Sequence, residues 1–312
     1  MEIVLLELAR LKLHEEVDPR ALRRLIQEIE SDGVLWSPII VDRENMVVLD
    51  GTHRVNALRV LRCRYVCVYL VDYSDSEIGV DRWFRAIPES LDTERAEEIA
   101  EALGMELIPL ESSRLKDVSY PVLRLRDGSS FAFVPKPDAV NSYDALHGFE
   151  RRLEAMGYTM DYDTETDAEI KLTHDAVSAI LQPPVLGKEQ VVATAVQGRV
   201  LSCKATRHVI PGHPVGVDVP LTLLRDHEIN IEEANARLAE LIQRKRTENM
   251  PPGTVWRGRR YDENTRLFAD EVGQGTGTPR DTTLCPRSSG EASPGRSLLT
   301  GKRERRYEKC RI

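Results

Sequence analysis

The sequence predicts an α/β protein, and three observations carry that prediction. Short apolar runs of strand length alternate with helix-period stretches, a tight Asp50-Gly51 turn joins one such run to the next helix, and Asp127-Gly128 sits between two further apolar runs as a hairpin turn would. At 312 residues the chain is long enough for one large domain or for two smaller ones sharing a cleft.

The elements follow in order. Residues 3–8 form a strand-like apolar run. Asp18-Pro19 supplies an N-cap and a proline at the first helical position, opening a helix over 20–31. Its Leu22, Leu25, Ile26 and Ile29 recur at i, i+3, i+4 and i+7, so one face packs on a sheet, and Gly33 ends it. Residues 38–41 and 46–49 read as two short strands, Asp50-Gly51-Thr52 as a turn, 54–62 as a helix with Val55, Leu58 and Leu61 inward, and 65–71 as another strand. Strand–turn–helix junctions of this kind are common places for ligands to meet backbone amides. A second region opens with a helix capped by Asp92 and stopped at Gly104, followed by the hairpin of 122–125 and 131–134. Helices are expected over 142–156 and 188–197, and an amphipathic one over 231–247 with Ala234, Leu238, Leu241 and Ile242 on one stripe. Beyond Asp270 the chain is rich in Gly, Ser, Thr and Pro and has almost nothing to bury, so a disordered tail is expected, basic from about residue 273. The expected units are 1–84, 85–226, an extension over 227–272, and the tail 273–312.

Composition narrows the function classes. With 41% hydrophobic and 30% charged residues the chain can bury a core and stay soluble. No apolar run approaches the ~18 residues of a membrane span, and the first residues lack the basic flank of a secretory leader, so a cytoplasmic protein is expected. Cys63, Cys67, Cys203, Cys285 and Cys310 show no zinc-like spacing and read as simple thiols. A net charge of −8 argues against general affinity for nucleic acid, so DNA binding is not expected.

Three segments carry chemistry: Leu13-His14-Glu15-Glu16, Leu49-Asp50-Gly51-Thr52-His53-Arg54 and Lys204-Ala205-Thr206-Arg207-His208-Val209. In the middle one, glycine permits close backbone approach, the helix start offers free N–H groups, and His53 and Arg54 are placed to add charge-assisted contacts to phosphate oxygens. Asp50 has the chemistry to orient a phosphate-bound Mg²⁺. An ordinary Asp-Gly turn with an arginine salt bridge on its helix would show the same residues. Likewise, Arg207 and His208 read equally as a structural Arg–acid pair and a core histidine.

The three segments in this order resemble the ParB/sulfiredoxin superfamily. Sulfiredoxins carry a nucleophilic cysteine just before the His-Arg pair; Thr52 stands there, which excludes sulfinic-acid reduction. ParB proteins continue into a helix-turn-helix, and no such segment is evident. The chain is most similar to the free L-serine kinases of this superfamily at His14-Glu15, Gly33 through Trp36 to Pro38, Asp50 to Arg54, Leu70 to Tyr73, Trp83 and Thr206 to Val209, over about residues 1–226. Thr52 is a departure, since those kinases often have His at that place. The resemblance implies a ParB/sulfiredoxin-like N-terminal domain, a second α/β region closing a cleft, and phosphoryl transfer from ATP or ADP, with Mg²⁺, to the hydroxyl of free L-serine. It implies Glu15 as catalytic base; Asp50, Gly51, Thr52, His53 and Arg54 around the nucleotide phosphates, with Asp50 on the metal; and Trp83, Thr206, Arg207 and His208 around the substrate. The competing class is a nucleotide-binding regulator using the same pocket, and a third reading is a kinase for another small hydroxy amino acid.

Overall fold

Tyr65–Val71 has no polar face, and the fold gives it an inner position. In the computed structural model, which describes residues 2–111, 119–136 and 142–270, it lies between Glu2–Glu7 and Ile39–Asp42, with Val48–Asp50 completing a four-stranded sheet. Only the Ile39–Asp42/Tyr65–Val71 pair is parallel, and the intervening crossover is the helix Thr52–Val60. Helix Pro19–Asp32 packs against that helix. Its start is set as expected: the Asp18 carboxylate accepts from the Arg20 N–H at 2.8 Å, Pro19 occupies the first turn, and Gly33 closes the end in the left-handed region.

The second region is built on a six-stranded sheet, antiparallel throughout, in the order Asp161–Asp163, Phe84–Ile87, Ala179–Gln182, Val122–Leu125, Ser130–Pro135, Met105–Pro109. The expected Asp127-Gly128 hairpin is at its heart. Strand periodicity divides the side chains between two layers. Ile87, Leu123, Leu125, Ala179 and Leu181 pack with Ala96, Ile99 and Phe149 from helices Thr93–Ala102 and Ser142–Ala155. Phe84, Ala86 and Ile180 pack with Ala168 of helix Glu165–Thr173 on the other side.

After helix Lys188–Val196 the chain returns to the first region. Leu201 makes a parallel bridge beside Glu15, and Arg207–Val209 pairs with Gly79–Asp81. Val217, Val219, Leu221 and Leu224 then sink into the core that holds Leu5, Ile39, Val55 and Val68. The site segments on either side of this return are therefore neighbours in space.

Two expectations change. The second helix starts at Thr52 rather than 54, because Gly51 at φ +107° is its N-cap and brings Thr52 and His53 into the first turn. The late helix ends at Gln243 rather than 247: Lys245–Met250 is a strand paired with Thr265–Asp270. A hairpin, Thr254–Trp256 and Arg259–Tyr261, fills the space between those two strands in sequence. The basic tail beyond Asp270 lies outside the described residues. Among the described residues no helix is long and apolar enough to cross a membrane. Cys63, Cys67 and Cys203 form no disulfide among the described residues.

Candidate active site

Glu15 lies on the seam between the two regions. Glu16 N–H donates to the Leu201 carbonyl and Leu201 N–H to the His14 carbonyl, so the seam is fastened by backbone on both sides of Glu15. Glu15 Oε1 accepts from the Thr206 N–H and the Thr206 hydroxyl, both at 2.6 Å. With its proton given to Glu15, the Thr206 oxygen accepts from His14 Nε2 at 2.8 Å. Burial alone would raise the Glu15 pKa, but His14 and Thr206 together hold the carboxyl below its ordinary value. The side chain keeps 12% of its surface exposed, an ionised carboxylate with one edge open.

The helix opened by the Asp50-Gly51-Thr52 turn carries His53, which is near enough to both Glu15 and Asp50 to be acted on by their charges. Asp50 is paired with two guanidinium groups, Arg54 Nη2 at 2.7 Å and Arg259 Nη1 at 3.0 Å, and His213 Nε2 lies 3.5 Å away. Burial would raise its pKa, and Arg259, Arg54 and His213 overcome this and hold the carboxyl far below the carboxylate range. Gly51 serves two needs. Its φ of +107° is outside the range of L side chains, and an added Cβ would lie 3.0 Å from Arg54 Nε, Arg54 Nη2 and Ile39 Cγ1. Gly51→Ala should cost about 1–3 kcal/mol in chemical denaturation and loosen the turn. An unchanged denaturation midpoint would show that the turn relaxes freely.

Within this turn the residues divide. The N–H groups of Thr52, His53 and Arg54 have no acceptor inside their own helix, as at any helix start. His53 Nε2 accepts from the Asp18 N–H at 3.0 Å, so the ring is neutral with its proton on Nδ1. Burial and Lys204 lower its pKa, against the opposing pull of Asp18, Glu15 and Asp50. Arg54 has no free fork: Nη1 donates to the Ser37 and Pro38 carbonyls at 3.0 and 2.8 Å and Nη2 to Asp50. It fastens the turn to the neighbouring strand, which is the plain salt-bridge alternative for that residue.

The substrate-side residues are also partly spent. Arg207 donates to Asp81 at 3.2 Å and to Asp262, and its guanidinium carbon lies 5.6 Å from the Trp83 ring centroid. His208 shares a 2.8 Å hydrogen bond with the Tyr73 hydroxyl and sits edge-on to His14 at 5.7 Å. Both match the structural alternative of an Arg–acid pair and a core histidine. Trp83 remains half-buried, with Lys204 Nζ 4.8 Å from its ring centroid.

Four contributors carry no role legible in the sequence: His14 and Lys204, which lie inside the segments picked out above, and His213 and Arg259, which lie outside them. Lys204 has no carboxylate partner among the described residues, and it adopts φ +62°, uncommon for a non-glycine residue. Its place inside the Lys204–Val209 segment was the available signal. Arg259 and His213 lie far along the chain from Asp50, and nothing local marks them.

Asp50 does not fit the expected role of metal ligand. Both its oxygens already accept guanidinium N–H groups, so a cation there would have to displace Arg54 or Arg259.

His208 and His213 are each buried, and burial pushes each pKa down to about 3. The unfolded chain therefore binds protons at these sites below pH ~6.5 that the folded chain refuses until about pH 3. Stability should be flat above pH ~7 and fall as pH drops through the window between those values. His208→Gln should flatten that slope in urea titrations taken at several pH values; an unchanged slope would mean His208 is protonated in the fold.

A carboxylate held ionised at the seam and a glycine turn that opens a helix give acid–base and anion-binding chemistry. No family model matches the chain. It is 28% identical over 242 residues to the ATP-dependent L-serine kinase of Staphylothermus marinus, taking in 72% of this chain and 92% of that protein. It is 23% identical over 232 residues to the ADP-dependent L-serine kinase of Thermococcus kodakarensis, taking in 71% and 92%. A ParB-like protein of Sulfolobus acidocaldarius is 26% identical over 207 residues, 64% of this chain and 86% of that one. Among solved structures, a free serine kinase in complex with AMP shares the fold at a TM-score of 0.61 and 24% identity, covering 71% of this chain and 93% of that one. C-terminally truncated SbnI from Staphylococcus aureus does so at 0.62 and 16%, covering 77% and 95%. The chain is thus a relative of the free L-serine kinases, with ParB-like proteins also among its relatives.

Proposed function

We propose that this protein transfers a phosphoryl group from ATP or ADP to the hydroxyl of free L-serine, giving O-phospho-L-serine. The observation that supports it most is Glu15, held ionised by Thr206 and His14 on the seam of the cleft. The serine oxygen attacks the donor's terminal phosphorus, the bond to the bridging oxygen breaks, and the hydroxyl proton passes to Glu15. A carboxylate with a lowered pKa is a weak base for an alcohol. It suffices because phosphoryl transfer has a loose transition state in which the proton leaves late, so position matters more than basicity.

The free N–H groups of Thr52 and His53, with Gly51 allowing close approach, receive the donor's phosphates. Lys204, which has no carboxylate partner among the described residues, adds a cation on the Trp83 side, where Trp83 walls the substrate. Arg207 meets the substrate carboxylate by exchanging one of its two acidic partners. Thr206 and His208 act as positioning residues, the first on Glu15 and the second behind His14. Mg²⁺ bound to the nucleotide would supply charge neutralisation at the phosphates, and Asp50 orients the turn through Arg54 and Arg259.

Glu16→Gln should change turnover by less than about threefold, because its carboxylate is half-exposed and only approaches His147, at 3.9 Å. A loss matching that of Glu15→Gln in steady-state assays would reassign the base.

The substrate is tested by mass spectrometry after incubating the purified protein with Mg²⁺, each nucleotide, and L-serine, L-threonine or L-homoserine. Phosphorylation is expected on serine; product only from another acid would correct the substrate. The ParB-like relative favours one other reading, a nucleotide-binding regulator. Sequence-specific DNA binding without any phosphorylated amino acid would establish it.

A further inference from the structure

Within five positions, the segment from Arg259 to Glu263 touches three residues of the site. Arg259 Nη1 donates to both oxygens of Asp50, at 3.0 and 3.2 Å. The Tyr261 ring meets His213 edge-on at 5.1 Å, Asp262 accepts from Arg207, and Glu263 Oε1 lies 3.7 Å from His213 Nδ1. Arg259 and Tyr261 lie on the second strand of the Thr254–Trp256/Arg259–Tyr261 hairpin. Its turn, Arg257 at φ +47° and Gly258 at φ +81°, has the paired positive angles that suit a two-residue β-hairpin. Arg257 is itself clamped, 3.8 Å above the Trp36 ring and 2.9 Å from Asp32.

Two guanidinium groups meet Asp50 at this corner, with the Glu263 carboxylate near enough to act on Arg259 and the Tyr261 ring 4.7 Å beneath its guanidinium carbon. Arg54 spends its terminal nitrogens on Ser37, Pro38 and Asp50. Arg259 spends only Nη1; its Nε and Nη2 have no partner among the described residues, and the side chain is 35% exposed. A guanidinium with an open edge, beside the free N–H groups of a helix start, is suited to bidentate contact with a phosphate.

We propose that Arg259, rather than Arg54, is the arginine that binds the donor's terminal phosphates, and that the segment from Arg259 to Glu263 forms a wall of the active site. This rests on the nucleotide-dependent function proposed above. The ligand class is the di- or triphosphate of a nucleotide: the open fork addresses phosphate oxygens and has no part in recognising the base.

The test is calorimetric titration of the full-length wild type, Arg259→Ala and Arg259→Lys with ADP and with adenosine, with folding checked by circular dichroism. Arg259→Ala should weaken ADP binding at least tenfold and leave adenosine binding within twofold, and Arg259→Lys should recover part of the loss. If Arg259→Ala does not fold, Arg259→Gln, which keeps an N–H donor for Asp50 without the charge, carries the same expectation. ADP affinity unchanged in a folded Arg259→Ala or Arg259→Gln, with a wild type that binds ADP, overturns this role and leaves the proposed function standing. A wild type that binds neither ligand overturns both.

Discussion

Replacing Glu15 with glutamine should lower turnover by roughly 10²-fold or more while nucleotide affinity stays within about twofold. The carboxylate is the acceptor of the seam's most specific contacts, two hydrogen bonds from Thr206 backed by His14. A glutamine retains the size and one oxygen, so the fold survives, but it has no charge with which to take the hydroxyl proton. The pH profile gives a second check. Because the Glu15 pKa is held below the ordinary carboxylate value, the free enzyme's base is ionised throughout the neutral range, and kcat/KM should show no acid limb from Glu15 above pH ~4.5. The same shift adds stability that is full above the unfolded-state pKa and is lost as pH falls through the folded one. A variant losing nucleotide affinity and turnover together would place Glu15 on the donor rather than the acceptor.

Arg85→Met should destabilise the protein by about 3–5 kcal/mol, the cost of leaving a buried charge unpaired. The Arg85 side chain is fully buried and pairs with Glu150. It also donates to the backbone carbonyls of Trp83 at 2.7 Å, Lys204 at 3.3 Å and Cys203 at 3.4 Å. Removing it leaves an almost fully buried carboxylate with His147 Nδ1, 3.8 Å away, in place of a guanidinium, and unpins the two stretches that carry Trp83 and Lys204. Arg85→Met with Glu150→Leu should be markedly less destabilised than Arg85→Met alone, since the second change removes the stranded charge. Urea titration of the three proteins measures this. A single-variant loss under about 1 kcal/mol would show that water replaces the guanidinium.

Arg85 also marks where the sequence stops being readable. No element is expected from the sequence over Phe84-Arg85-Ala86-Ile87, which is an inner strand whose arginine is covered by a helix carrying Glu150. By contrast, Tyr65–Val71, the Asp18-Pro19 helix start and the Asp127-Gly128 hairpin were legible because each is fixed by its own neighbours. Lys245–Met250 was not. Its polar residues continue the period of the preceding helix, and only pairing with Thr265–Asp270 makes it a strand. The site shows the same division. The Asp50-Gly51 turn and Glu15 stand out locally. The partners of Arg54 and Asp50 do not, because Ser37, Pro38 and Arg259 reach them through tertiary packing, the last from 209 residues away.

The central claim is that this cleft moves a phosphoryl group onto free serine. Following ³¹P NMR spectra of purified protein with L-serine, Mg²⁺ and ATP or ADP tests it most directly. An O-phosphoserine resonance should grow at the rate at which the donor's terminal phosphate signal disappears, and Glu15→Gln should nearly abolish both. Nucleotide binding without any phosphoserine, or release of inorganic phosphate alone, would contradict it.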